Sequence, residues 1–344
     1  MNKCFKKSKT LSPEKSQPVS SRFQTVPGEI LKKYVIESEL GRGAFGNVFK
    51  VKQQESEDFY ALKVIKNEER FIRQAKMEAT ILKYLLDQNV PNVCQLIDCF
   101  YYSKLNHPCF VFNIYYSDLY TAICEQKKDF GTGFDHTFIA DVVRQIFLAL
   151  SHLKTHKIIH ADLKPENIML ESSQSNSIKI IDFGSACFHN SKTHDYIQSR
   201  YYRAPEIILG RGYTTQIDVW SLGCIIFELL TTKPLFRAKS SAQLIMMHTE
   251  LLNVPSVDFL DKCEKGHVYF TYSNGKYIPC RSTDYKGICR VPGSTNIDLL
   301  INQSLPNYVR NEFLNDLIMQ CVSYLDNRIT PIKALEHEYL KTNL

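Results

Sequence analysis

Two short segments constrain this chain more than any other feature: residues 158–167, Ile-Ile-His-Ala-Asp-Leu-Lys-Pro-Glu-Asn, and residues 180–184, Ile-Ile-Asp-Phe-Gly. They set Asp162, Lys164, Asn167 and Asp182 in an order in which one carboxylate can take a hydroxyl proton. The second, with Asn167, can hold a hard cation such as Mg²⁺ against a nucleotide, because both offer oxygen ligands. For one aspartate alone, a helix-capping loop is the plain alternative; it does not account for the whole ordered set. The apolar run 178–181 predicts a short buried strand that delivers Asp182.

The bulk properties exclude more than they assign. A chain of 344 residues can fill two domains with proper cores. The net charge is +6, part of it from Lys3, Lys6, Lys7, Lys9 and Lys15, so a strongly basic nucleic-acid surface is not indicated. The eleven cysteines are scattered; Cys94 and Cys99 are the closest pair, with no second pair to complete a zinc site. Reduced thiols of the cytosol or nucleus are the expectation. No apolar signal core opens the chain, residue 2 is not the glycine of a myristoylation site, and the apolar run 219–230 is too short for a bilayer of ~30 Å. That run reads as a core helix, and the chain as a monomer with no membrane or nucleic-acid partner.

Residues 1–30, rich in Lys, Ser, Gln and Pro, read as a flexible basic arm, with a docking or targeting role as the alternative to a solvated tail. Alternating stretches at 34–39, 47–53 and 59–65 predict strands. A helical pattern follows over 68–86, carried by Phe71, Ala75, Ala79, Leu82 and Leu86. Beyond Tyr115 the pattern is mainly helical. The implied architecture is α+β and bilobal: a small strand-rich lobe of about 31–114 and a larger helical lobe of about 115–340, with a cleft near 112–115.

Gly41-Arg42-Gly43-Ala44-Phe45-Gly46-Asn47-Val48 lies between two of these strands. Its glycines let backbone N–H groups approach phosphate oxygens with no Cβ in the way. The same letters occur in dinucleotide folds, but there a helix follows the last glycine, whereas here Val48-Phe49-Lys50-Val51 continues as a strand. Lys63, in Tyr60-Ala61-Leu62-Lys63-Val64, would place an ammonium under this loop, and a carboxylate on the next helix could hold it toward the α- and β-phosphates. Glu78 is preferred for that task over Glu68 and Glu69, since it lies mid-helix among Ala75, Ala79 and Leu82.

These segments resemble the glycine-rich loop, catalytic loop and Asp-Phe-Gly segment of eukaryotic protein kinases, and Ala204-Pro205-Glu206 resembles the motif that closes kinase activation segments. The resemblance runs from Tyr34 to about Leu340. It implies a bilobal protein kinase fold that uses ATP and Mg²⁺. Asp162, Lys164, Lys63 and Glu78 would be catalytic, and Asn167 and Asp182 would be the metal ligands. Gly41, Arg42, Gly43, Ala44, Phe45, Gly46, Val48, Ala61, Lys63, Phe112, Asn113, Tyr115, Asp118, Asn167, Leu170 and Asp182 would line the nucleotide site. Arg328 would pair with Glu206, Asp218 would brace the catalytic loop, and His160 would be a packed structural residue. A kinase-fold scaffold without chemistry is the second reading, but it has no chemical need for Lys63, Glu78, Asp162, Asn167 and Asp182.

The segment 196–206, Tyr-Ile-Gln-Ser-Arg-Tyr-Tyr-Arg-Ala-Pro-Glu, is similar to the activation segment of the dual-specificity tyrosine-regulated kinases and their Yak relatives in the CMGC group. Residues 65–67, 74–75, 182–187, 251–255, 260–261 and 292–294 carry the same likeness. The resemblance implies autophosphorylation of Tyr196 and transfer to Ser/Thr of other proteins, in the cytoplasm, the nucleus or both. Proline after the acceptor and arginine upstream would be preferred, with Glu166 and Glu228 as counter-charges. Three departures stand out: Ala161 in place of the usual cysteine, His194 in place of the first tyrosine of a Tyr-x-Tyr pair, and no clear family homology box in the N-terminal arm. With Ala161 unable to grip an anion, Arg200 and Arg203 would hold a phosphate on Tyr196. Tyr201 and Tyr202 are rival acceptors, expected to pack or to line the substrate pocket.

Overall fold

The computed structural model describes residues 23, 25–43, 45–102, 106–191, 196–280, 283 and 287–342. Ala44, His194 and nearly all of the basic arm therefore lie outside the described residues. The small lobe is one antiparallel sheet built from β1 (Ile30–Leu31), β2 (Tyr34–Arg42), β3 (Gly46–Gln53), β4 (Phe59–Ile65), β5 (Leu96–Tyr102) and β6 (His107–Asn113), in the order β1-β2-β3-β4-β6-β5. Period-two alternation sorts its side chains. Phe49, Val51, Leu62 and Val64 enter the lobe's core, while Val48, Ala61 and Lys63 take the other face, toward the cleft.

Helix α1 (Glu69–Asp87) packs beside this sheet. Its buried stripe is Phe71, Ala75, Glu78, Ile81, Leu82 and Leu85. The stripe expected from sequence ran through Phe71, Ala75, Ala79, Leu82 and Leu86; Ala79 is only half-buried. Leu86 is instead exposed, because the face turns through Ile81 and Leu85 at i+3 and i+4 from Glu78 and Ile81. The lobe's core also begins earlier than residue 31. Phe23, expected in the arm, is buried with its ring edge-on to Phe49, Tyr102 and His107 at 5.9, 5.6 and 5.5 Å.

From Asn113 the chain crosses to β7 (Ser117–Asp118) and α2 (Leu119–Phe130). The large lobe continues with α3 (His136–Thr155), the short strands β8 (Ile158–Ile159), β9 (Ile168–Leu170), β10 (Ile178–Ile180) and β11 (Cys187–Phe188), then α4 (Pro205–Leu209), α5 (Gln216–Thr231) and α6 (Ser241–Leu252). β10, β9 and β7 form one small sheet, and β11 pairs with β8. A hairpin of β12 (Phe270–Ser273) and β13 (Lys276–Pro279) and further short helices close the lobe. Every residue of α5 is buried, which explains why its sequence is apolar all round and not striped. No helix among the described residues is long and apolar enough to cross a membrane.

Candidate active site

Lys63 on β4 and Glu78 on α1 meet where the two elements pack: Lys63 Nζ donates to Glu78 Oε1 at 2.7 Å and to Asp182 Oδ1 at 2.8 Å. Glu68 and Glu69, the other candidates on this helix, pair with Arg70 and Arg73 at the surface. Burial works against the Lys63 ammonium, but the charges of Asp182 and Glu78 outweigh it and hold its pKa above the usual lysine range. Burial likewise raises Asp182, and Lys63 reverses this, leaving the carboxyl below its ordinary range. Asp182 sits in a left-handed conformation, φ 60° and ψ 73°. A Cβ on Gly184 would crowd this pair, lying 3.2 Å from Asp182 Oδ1 and 3.4 Å from Glu78 Oε2.

The catalytic-loop residues follow β8. Asp218, buried on α5, accepts from the backbone N–H of His160 at 2.8 Å and of Ala161 at 3.0 Å, fixing the loop from below. Ala161 is itself left-handed at φ 64°. His160 is fully buried, edge-on to Phe183 at 4.9 Å, and engages Ile181 O at 3.0 Å. On the cleft side, Lys164 Nζ donates to Asp162 Oδ2 at 2.7 Å, and Asn167 Nδ2 donates to Asp162 O at 2.8 Å. Asp162 Oδ1 accepts from Ser199 N at 3.0 Å and Ser199 Oγ at 2.8 Å. No sequence spacing pointed to Ser199 as a partner of Asp162; only the fold joins residues 37 positions apart.

Between the lobes lies a cavity of about 610 Å³. Gly41, Gly43, Phe45, Gly46, Val48, Ala61, Lys63, Phe112, Asn113, Tyr115, Asp118, Asn167 and Asp182, all named above for a nucleotide site, line it. A Cβ on Gly46 would lie 2.0 Å from Val64 O, so the loop can pass this close to β4 only as glycine. Two expected residues are not on the wall. Arg42 turns out to solvent and pairs with Glu39. Leu170 is buried in the large lobe's core, and Met169 takes the cavity face, since neighbouring strand residues point to opposite sides. Leu40, Ile114, Tyr116, Ser117, Thr121 and Ile181 also line the cavity without having been singled out; Leu40 and Ile181 flank motifs already read. Cys94 closes its back, where burial pushes the thiol up to about 12.

Asn167 and Asp182 present oxygen atoms to this cavity beside Lys63, a donor set that would fit a magnesium ion. The apolar strand face above and Met169 below fit a flat base.

The activation segment resumes at Tyr196, which is 58% exposed. Arg203 lies over its ring, Cζ 3.8 Å from the centroid, and donates through Nε to Ile197 O at 2.8 Å and through Nη2 to Gln198 O at 2.6 Å. Arg200 donates to Lys239 O at 3.0 Å. Tyr202 is buried, its hydroxyl donating to Glu228 Oε2 at 2.6 Å. Burial raises Glu228 to about 7, and Glu166 adds to the rise. A cavity of about 600 Å³ joins Glu166, Glu228, Lys164, Ser199 and Tyr201, with Lys127, Arg200 and Arg237 also on its wall. Further down, Arg328 grips Glu206 in a fork, Nη1–Oε1 2.6 Å and Nη2–Oε2 3.0 Å, both side chains fully buried.

Comparison with known proteins agrees with this arrangement. The family model described as Protein kinase domain matches residues 34–340. Over 315 residues the chain is 34% identical to human dual specificity tyrosine-phosphorylation-regulated kinase 4, covering 90% of this chain and 58% of that protein. It is 35% identical to human kinase 3 of the same name over 329 residues, 91% of this chain and 54% of the relative. Identity to Drosophila melanogaster kinase 2 is 35% over 313 residues, 90% and 41%. The chain thus spans about half the length of the curated relatives it matches. It belongs to the protein kinase domain family and is closely related to the dual specificity tyrosine-phosphorylation-regulated kinases.

Proposed function

We propose that this chain transfers the γ-phosphoryl group of ATP to serine and threonine hydroxyls of other proteins and, during maturation, to its own Tyr196. The observation that carries the reading is Lys63 bound at once to Glu78 and Asp182, in a cavity that also holds Asn167. This is the preorganised phosphate end that such transfer needs. In this reading Asn167 and Asp182 hold the magnesium ion, which when bound neutralises charge on the phosphates. Asp162, steered by Ser199 and Lys164, orients the acceptor hydroxyl. Its oxygen bonds to the γ-phosphorus as the bond to the β-phosphate oxygen breaks. The hydroxyl proton passes to Asp162, and ADP leaves.

Acceptor sites followed by proline, with arginine upstream, are the expected substrates. The first rests on the likeness of Arg203-Ala204-Pro205-Glu206 to the related kinases, the second on Glu166 and Glu228 sharing one cavity next to Lys164 and Ser199. The ten described cysteines are free thiols, which suits work in a reducing compartment such as the cytoplasm or nucleus. Peptide mapping by tandem mass spectrometry tests the reading. Wild-type protein should carry phosphate on Tyr196 without an upstream kinase, and Asp162→Asn protein made the same way should not. Active enzyme with Tyr196 unmodified would contradict the maturation step.

A further inference from the structure

The cavity that joins Glu166 and Glu228 carries more positive than negative side chains: Lys127, Lys164, Arg200 and Arg237 line it with those two carboxylates. Several of these charges are already committed. Lys164 Nζ donates to Asp162 Oδ2, Arg200 Nη1 donates to Lys239 O, and buried Glu228 accepts from the Tyr202 hydroxyl. Lys127 and Arg237 are exposed, and neither side chain has an ion pair or hydrogen bond among the described residues. Both are carried by fixed backbone. Tyr120, Ile123, Cys124 and Lys127 stand at i, i+3, i+4 and i+7 on one face of α2, which Asp118 caps by accepting from Thr121 N at 2.9 Å. Arg237 follows Phe236, buried and stacked on Trp220 at 5.7 Å, and precedes buried Ala238. Support of a helix C-terminus would account for Lys127, in the last turn of α2, but not for Arg237, which lies in no helix. Two uncommitted cations from separate elements on one concave wall concentrate their field on an anion bound there.

We propose that Lys127 and Arg237 are specificity residues that take an anionic side chain of the peptide substrate, an aspartate, a glutamate or a phosphoserine, beside the arginine that Glu166 and Glu228 would take. The preferred segment then carries charges of both signs. Lys164 and Ser199 line the same cavity and both bond to Asp162, so a peptide whose acceptor hydroxyl lies at Asp162 runs on into it. A carboxylate pairs with the cations as a single charge, whereas a phosphate, with about −1.5 to −2 charge and three acceptor oxygens, can engage both at once. This inference rests on the reading of the chain as a kinase for Ser/Thr of other proteins.

The test uses the full chain and synthetic peptides with one acceptor serine, a following proline, an upstream arginine and alanine at every other upstream position. Each of those alanines is replaced in turn by aspartate, phosphoserine or lysine, and kcat/KM is measured at low salt relative to the all-alanine peptide. At the position that reaches Lys127 and Arg237, aspartate should raise kcat/KM about 3-fold and phosphoserine about 10-fold in wild type. Added salt should shrink both gains. The double variant Lys127→Ala/Arg237→Ala should bring the ratios to about one, as expected when the pair is lost. In Lys127→Glu/Arg237→Glu the order should reverse, with lysine favoured over aspartate, a gain that a merely damaged protein would not show. A gain with phosphoserine and none with aspartate would assign the site to substrates that are already phosphorylated. Wild-type transfer with no gain from an anion at any position, or a gain that survives in Lys127→Ala/Arg237→Ala, would overturn the anion site and leave the kinase reading standing. Wild-type protein that transfers phosphate to none of these peptides would overturn both.

Discussion

Ser199 binds Asp162 twice, through its backbone N–H at 3.0 Å and its hydroxyl at 2.8 Å, both on the same carboxylate oxygen. The activation segment is thereby bonded to the proposed base itself. Since Lys164 occupies the other oxygen, the carboxylate is held from both sides. Removing the hydroxyl in Ser199→Ala should lower kcat by about 10-fold, the worth of one hydrogen bond to a charged group. KM for ATP should hardly move, and Ser199→Thr should restore the rate. Steady-state kinetics with ATP and a peptide substrate varied separately check this; a Ser199→Ala enzyme with wild-type kcat would remove Ser199 from the positioning of Asp162.

Glu228 links substrate choice to pH. Its carboxyl is raised to about 7 by burial, so it is mostly neutral below that value and gains its charge as pH rises through it. A neutral acid attracts a substrate arginine weakly. The kcat/KM ratio between a peptide with upstream arginine and its alanine counterpart should therefore grow from pH 6 to pH 8. In Glu228→Gln the ratio should be small and flat with pH. A pH-dependent ratio that survives in Glu228→Gln would assign the preference to another group.

His248 gives the large lobe an acid-sensitive point. It is fully buried, edge-on to the stacked rings of Trp220 and Phe236 at 4.7 and 4.6 Å, and neither ring nitrogen has a hydrogen-bond partner. Burial, aided by the Arg328 charge, lowers its pKa to about 3. The unfolded chain, with an ordinary histidine near 6.5, takes up a proton there that the folded chain refuses. Stability is thus complete above pH 6.5 and falls as pH drops toward 3, by about 1.4 kcal/mol per unit. Between pH 7 and pH 5 the loss from this residue should be about 2 kcal/mol. Urea melts of wild type and His248→Leu at the two pH values check it. The variant should lose less stability by about that amount, and equal losses would show that His248 does not titrate this way.

The chemistry-bearing residues were more legible than the walls around them. Asp162, Asn167 and Asp182 stand in short motifs whose order follows from the work a nucleotide site does, and Glu78 could be chosen because its neighbours placed it on the buried face of α1. Leu170 and Arg42 went astray by one residue of strand alternation, which a short segment such as β9 is too brief to fix by pattern. Leu86 shows the same sensitivity on a helix. Phe23 escaped because a single aromatic in a polar stretch carries no periodicity; only the hole left between Phe49, Tyr102 and His107 gives it a place. Ser199 and His248 owe their settings to long-range packing that no local spacing encodes.

The most direct test of the central claim is the rate of phosphate transfer from ATP with excess Mg²⁺ to a basic Ser/Thr peptide, compared among wild type, Lys63→Met, Asp162→Asn and Asp182→Asn. Circular dichroism melts should first show that each variant is folded. Each substitution removes phosphate positioning, hydroxyl orientation or metal ligation, and each should slow transfer by a factor of ~10² or more, at least ~2.7 kcal/mol in the barrier. Wild-type rates in all three folded variants would contradict the catalytic assignment.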